Sequence, residues 1–166
     1  MTTMPDWVRQ IRQNEDSLEQ QKKLRAANEA LAQKTIEADS PRFWMDFLKE
    51  LDLTILSLDT IGLCASTHLL NLPAVERKPQ AEAVQVRIAV DSIFADQRYL
   101  DIFYDGMGSN IRCAPNDGKE YRLRFIVDGG HLRVSNESPS STGNLLDAAG
   151  AARSVIEPIV KRLKGL

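Results

Sequence analysis

Residues 83–135 constrain this chain more than any other stretch, because short alternating runs follow one another there between strong turn signals. Val84, Val86, Ile88 and Val90 alternate with Gln85 and Arg87, the signature of a strand buried on one face. Leu100, Ile102 and Tyr104 alternate with Tyr99, Asp101 and Phe103. After Gly106-Met107-Gly108, Ile111 and Cys113 fall on one side and Arg112 on the other. Tyr121, Leu123, Phe125 and Val127 alternate with Arg122, Arg124 and Ile126.

The turns between these runs have a mechanism. Pro115-Asn116-Asp117-Gly118 sets φ with Pro and permits a left-handed exit with Gly. Asp128-Gly129-Gly130-His131 suits a two-residue hairpin loop, which pairs Val127 with Leu132 and Phe125 with Val134. Extended further, that register sets Arg122 opposite Glu137, an opposite-charge pair of the kind that contributes about 0.2–1 kcal/mol.

The flanks read as helices. Residues 5–38 form one long polar helix, with Pro5 at a first helical position and Asp6 at the positive end of the dipole. Its apolar stripe thins from Trp7, Val8 and Ile11 to Leu18, Leu24, Ala27 and Leu31. Gln13, Asn14, Gln20 and Gln21 stand where a tight coiled coil wants apolar residues. Three fates are open to such a helix: packing within the chain, dimerising, or disorder of its first ten residues.

Ser40-Pro41 predicts a break and a restart, with Ser40 as N-cap and Pro41 at N1. Trp44, Phe47, Leu48, Leu51, Ile55 and Leu58 then recur three and four apart, a core-facing helical stripe. From Leu53 onward the residues also fit a strand turning at Asp59-Thr60-Ile61-Gly62 into Leu63–Leu70, so 53–70 stays open between helix and strands. Residues 71–82, with Pro73 and Pro79, form a loop, as does the Ser/Thr/Gly-rich stretch 136–144. The last helix starts with Asn144 as N-cap and Asp147 in its first turn. Its stripe is Leu145, Ala149, Ala152, Ile156, Ile159 and Leu163, with a kink expected near residue 154 from Pro158.

The predicted fold class is therefore α+β. It has two N-terminal helices, the first long and polar, an antiparallel meander of four to six strands, and a C-terminal helix packed on one sheet face. Residues 1–39 are expected as a polar helical arm and 40–166 as a single α+β domain, a size that buries ~70% of the unfolded surface. There is no internal repeat or low-complexity tract.

A net charge of −2 gives no bulk attraction to nucleic acid or anionic membrane. No signal peptide is expected at residues 1–6. The most apolar run, 51–72, is interrupted by Asp52, Asp59 and His68, so no membrane span is expected. Cys64 and Cys113 lack metal-ligand spacing and are expected buried and reduced in a cytoplasmic protein.

Candidate chemistry gathers on the polar parity of the meander. Arg87, Tyr99, Phe103, Arg112, Arg122, Arg124 and Arg133 should project from one face, together with Gln85, Asp101, Glu120 and Ser135. Arginines interleaved with aromatics suit a protein partner, and also suit stacked bases and phosphates. The plain alternatives are arginine–carboxylate pairs that solvate an open face, or coverage by the first helix. Residues 83–137 hold seven cations against eight acids. Five of those acids (Asp91, Asp96, Asp105, Asp117 and Asp128) fall in turns, which leaves the face itself basic.

Other candidates are weaker. Asp128 and His131 flank a hairpin with no nucleophile nearby. His68 is expected as a satisfied buried histidine. Cys64 sits in no nucleophile elbow, and Cys113 has core parity. Gly106-Met107-Gly108-Ser109 and 138–144 match no phosphate-binding loop, and the carboxylates Asp91, Asp96, Asp101 and Asp105 have no ligand-loop spacing. No cofactor or metal is expected. The function expected is a non-enzymatic binding module, taking a protein partner or pairing with itself through residues 5–38, with nucleic acid the lesser option. The alternative is a small-ligand protein or enzyme with a pocket between sheet and helices near His68. The motifs are structural and too generic to carry a family resemblance.

Overall fold

The computed structural model describes residues 3–72, 81–90, 97–106, 108 and 110–166. Parts of the loop expected over 71–82, the acids Asp91 and Asp96, and Met107 and Ser109 lie outside the described residues. The chain divides into two units, Met1–Lys34 and Thr35–Leu166. Among the described residues no helix is long and apolar enough to cross a membrane.

The alternating runs do form strands, and among the described residues there are seven rather than four to six. They are β1 (Cys64–Leu70), β2 (Glu82–Ala89), β3 (Gln97–Tyr104), β4 (Asn110–Pro115), β5 (Tyr121–Asp128), β6 (His131–Asn136) and β7 (Leu145–Leu146). They pair antiparallel in sequence order, so the sheet is a meander throughout. The β5–β6 hairpin has the expected register, Val127 with Leu132 and Phe125 with Val134. Gly129 and Gly130 both take positive φ, 56° and 80°, as a two-residue turn between right-twisted strands demands.

The first helix departs from expectation. α1 runs unbroken from Asp6 to Ser57 with Pro41 inside it, so there is one N-terminal helix and not two. A proline here removes a backbone donor and crowds the preceding turn. Packing overrides that cost: Ile36, Ser40, Phe43, Trp44, Phe47, Leu51 and Ile55 are all buried along this part of the helix. Ser40 does not cap a helix; its hydroxyl lies 2.8 Å from that of Tyr104 on β3. The helix closes in a short 3-10 turn, Leu58–Ile61, and Gly62 at φ 79° turns the chain into β1. The open segment 53–70 is thus helix first and strand second.

α2 (Ala148–Lys164) starts later than expected. Leu145 and Leu146 stay extended as β7 against Ser135 and Val134, which moves the N-cap from Asn144 to Asp147. The Asp147 carboxylate accepts from the Gly150 N–H at 2.8 Å. Ala151, Ala152, Val155, Ile156 and Ile159 of α2 join the buried residues of α1 in a core with Val84, Val86, Ile88, Leu100, Ile102 and Leu123. Both helices therefore serve the same face of the sheet. Phe43 meets Phe125 edge-on at 5.4 Å, and Trp44 stacks on Tyr104 at 5.3 Å. These contacts tie α1 to the middle of the meander.

Candidate functional site

The opposite face follows from strand parity. With Val84, Val86 and Ile88 inward on β2, Gln85 and Arg87 must point outward, and the same alternation puts Tyr99, Asp101, Phe103, Arg112, Arg122 and Arg124 on that side. Register then makes neighbours of residues distant in sequence. Arg87 lies opposite Tyr99, Phe103 opposite Arg112, and Arg112 opposite Arg122.

Two cation–aromatic contacts organise the face. The Arg87 guanidinium sits 5.4 Å from the Tyr99 ring centroid and that of Arg112 sits 4.5 Å from Phe103. Arg87 donates to Gln85 Oε1 at 2.7 Å, and Gln85 donates in turn to Asp101 Oδ1 at 2.8 Å. This chain fixes the first arginine and leaves its charge half-buried. Arg112 approaches Glu120 at 3.5 Å and Arg124 approaches Glu137 at 3.3 Å. The expected Arg122–Glu137 side-chain pair is replaced by a backbone bond, Glu137 N–H to the Arg122 carbonyl at 2.9 Å. Arg122 itself is exposed, and no ion pair to it forms among the described residues.

Arg133 separates from this group. Its parity is outward, but its guanidinium curls back to donate to the Leu132 carbonyl at 3.3 Å. It lines a polar cleft of about 530 Å³ with Asp39, Arg42, Asp46, Lys49 and His131. His131 faces Asp128 across the hairpin, exposed to solvent.

Beside the Arg112–Phe103 contact lies a depression of about 350 Å³. Ala83, Ala114 and Ile102 contribute to it together with Leu70, Phe103 and Arg112. Its room comes from two outward-facing alanines on β2 and β4, one to either side of β3, a signal present in the sequence but silent until the strand order is known. His68 is on β1, exposed rather than buried, bonded to Ser66 at 2.9 Å, and lines none of these clefts. Cys64, expected buried, is exposed at the start of the edge strand β1.

Acid–base character is shifted elsewhere. Burial pushes the Cys113 thiol well above its usual range, and Tyr121, opposite it across the β4–β5 pair, is pushed up by the same cause. Both shifts favour the protonated form, the opposite of what a thiolate nucleophile needs. Among the described residues no cluster of His, Cys, Asp or Glu is placed to hold a metal ion. The geometry suits recognition: guanidinium groups held over aromatic rings, an adjacent recess of mixed polar and apolar lining, and the exposed Arg122. No family model, curated protein or solved structure matches the chain.

Proposed function

We propose that this is a non-enzymatic, cytoplasmic binding module that docks a protein partner on the outer face of its sheet and self-associates through its N-terminal helix. The observation that carries the docking surface is the Arg112–Phe103 stack at 4.5 Å, beside a recess of about 350 Å³ and the exposed Arg122. An arginine held over an aromatic ring next to a recess is the type of anchor that dominates protein interfaces. The recess accepts one apolar side chain, and Arg122 accepts a carboxylate beside it. The partner therefore presents an acidic residue next to an apolar one.

A protein is favoured over nucleic acid because Glu120, Asp101 and Glu137 are interspersed among these arginines. A phosphate backbone meets those carboxylates unfavourably. The cytoplasmic setting rests on Cys113, whose buried thiol behaves as a core side chain.

The test uses peptides selected from a random library on the full chain. Enrichment of acidic–apolar pairs is expected, with binding lost in Arg122→Glu and Phe103→Ala chains that keep their melting temperature. Selection of peptides indifferent to both substitutions removes the sheet face from the proposal. Salt-sensitive binding to single-stranded nucleic acid, lost on Arg122→Glu, replaces the protein partner with a polyanion.

A further inference from the structure

Trp7, Ile11, Leu18, Leu24 and Leu31 are each between 49% and 66% exposed along one unbroken helix. With Asn14, Gln21 and Asn28 they form a row in which every step is three or four residues, the spacing that keeps helical neighbours adjacent. The row is symmetric about Gln21. Leu18 and Leu24 stand equally far to either side, followed by Asn14 and Asn28, then Ile11 and Leu31. Two steps of three meet at Gln21, a stammer that shifts the stripe around the helix at its midpoint.

The charges invert about nearly the same centre. Glu15, Asp16 and Glu19 precede it, and Lys22, Lys23 and Arg25 follow it. Further out, Arg12 precedes and Glu29 follows, with the signs exchanged. Two such helices laid parallel and in register set acid beside acid and base beside base. Laid antiparallel, they set Glu19 near Lys22 and Lys23, Asp16 near Arg25, and Arg12 near Glu29. Such flanking pairs are what choose orientation in paired helices.

We propose that a second copy of this chain is the occupant of this stripe, paired antiparallel with the two-fold axis at Gln21. The inference rests on the self-association proposed above and adds its orientation and register. Leu18 then packs on Leu24 of the second copy and Ile11 on Leu31, burying side chains that are exposed in the single chain. Asn14 meets Asn28, and Gln21 meets Gln21. Polar layers of this kind lower affinity but penalise every shifted register. The axis at Gln21 also makes the contact closed, since the same patch serves both copies.

The experiment uses the full chain with Cys64→Ser, so that the remaining native thiol is the buried Cys113. Asn14→Cys and Asn28→Cys chains are treated with a short bismaleimide, separately and after mixing. In the antiparallel pair residue 14 lies beside residue 28 of the other copy. The two residues numbered 14 are then roughly 21 Å apart, fourteen residues at about 1.5 Å each. Cross-linking is expected only in the mixture, with sedimentation giving twice the 18.6 kDa chain mass and Leu18→Asp halving it. A dimer in which the Asn14→Cys chain cross-links to itself overturns the antiparallel axis while self-association stands. A monomer at every concentration overturns both.

Discussion

The Ser40 hydroxyl and the Tyr104 hydroxyl meet at 2.8 Å in the core, one from the middle of α1 and one from the end of β3. Tyr104 donates onward to the Gly106 carbonyl at 3.1 Å, so Ser40 is the donor to Tyr104 and the three groups form a relay. Trp44, one turn along α1, stacks on the same phenol ring. This contact locks the helix to the sheet and replaces a break in the chain with a junction.

Tyr104→Phe keeps the ring stack but leaves the Ser40 hydroxyl and the Gly106 carbonyl without this partner. Stability should fall by about 1–3 kcal/mol, as when a buried polar group loses its bond. Adding Ser40→Ala should cost less than in the wild-type chain, because the partner is already gone. Urea denaturation of the four proteins measures the coupling, and additive losses would show that the relay is not a unit.

Pro41 lies one residue after this junction and is retained in an unbroken helix. Pro41→Ala restores the missing donor and relieves the ring from the preceding turn, against a small loss from a freer unfolded chain. The net effect should be a gain of about 1–3 kcal/mol, read as a higher urea midpoint at constant slope. A lower midpoint would mean that Phe43 and Trp44 need a proline-induced bend to reach the sheet.

The contrast between two local signals shows what could be read without a structure. Asp128-Gly129-Gly130-His131 determined its own hairpin register, because only a tight turn uses two residues at positive φ between apolar alternations. Ser40-Pro41 carried an equally good helix-start signal and was overruled, since the deciding contact is with Tyr104, sixty-four residues away. β7 gives no sequence signal because two residues carry no period, and β1 is ambiguous because Ala65, Thr67 and Leu69 do not contrast with Ser66, His68 and Leu70 strongly enough to fix a strand. Parity was sufficient to group Arg87, Tyr99, Phe103, Arg112, Arg122 and Arg124. It could not foresee that Arg133 turns back to its own neighbour's carbonyl, or that Ala83 and Ala114 open a recess.

Asp147 offers a clean test of the α2 start. Its carboxylate caps Gly150 at 2.8 Å, and the helix has no acidic residue in its first turn to compensate. Asp147→Ala should cost about 0.5–2 kcal/mol, and Asp147→Asn much less, because an amide oxygen also accepts at this position. Asn144→Ala, the cap expected from sequence, should be nearly silent. Thermal denaturation of the three variants ranks them, and a larger loss at Asn144 would move the helix start.

Alkaline stability depends on groups inside the fold. Burial raises Tyr104, Cys113 and Tyr121 above their ordinary values of 10.0, 9.0 and 10.0. Each is an acid whose neutral form the folded state favours, so the unfolded chain releases its proton first as pH rises. Their contribution is complete below about pH 8 and declines as pH climbs past the unfolded values toward the folded ones. The urea midpoint should therefore fall between about pH 8 and about pH 11. Tyr121→Phe removes a raised phenol and should flatten that decline. An unchanged slope in Tyr121→Phe would place the alkaline sensitivity on other groups.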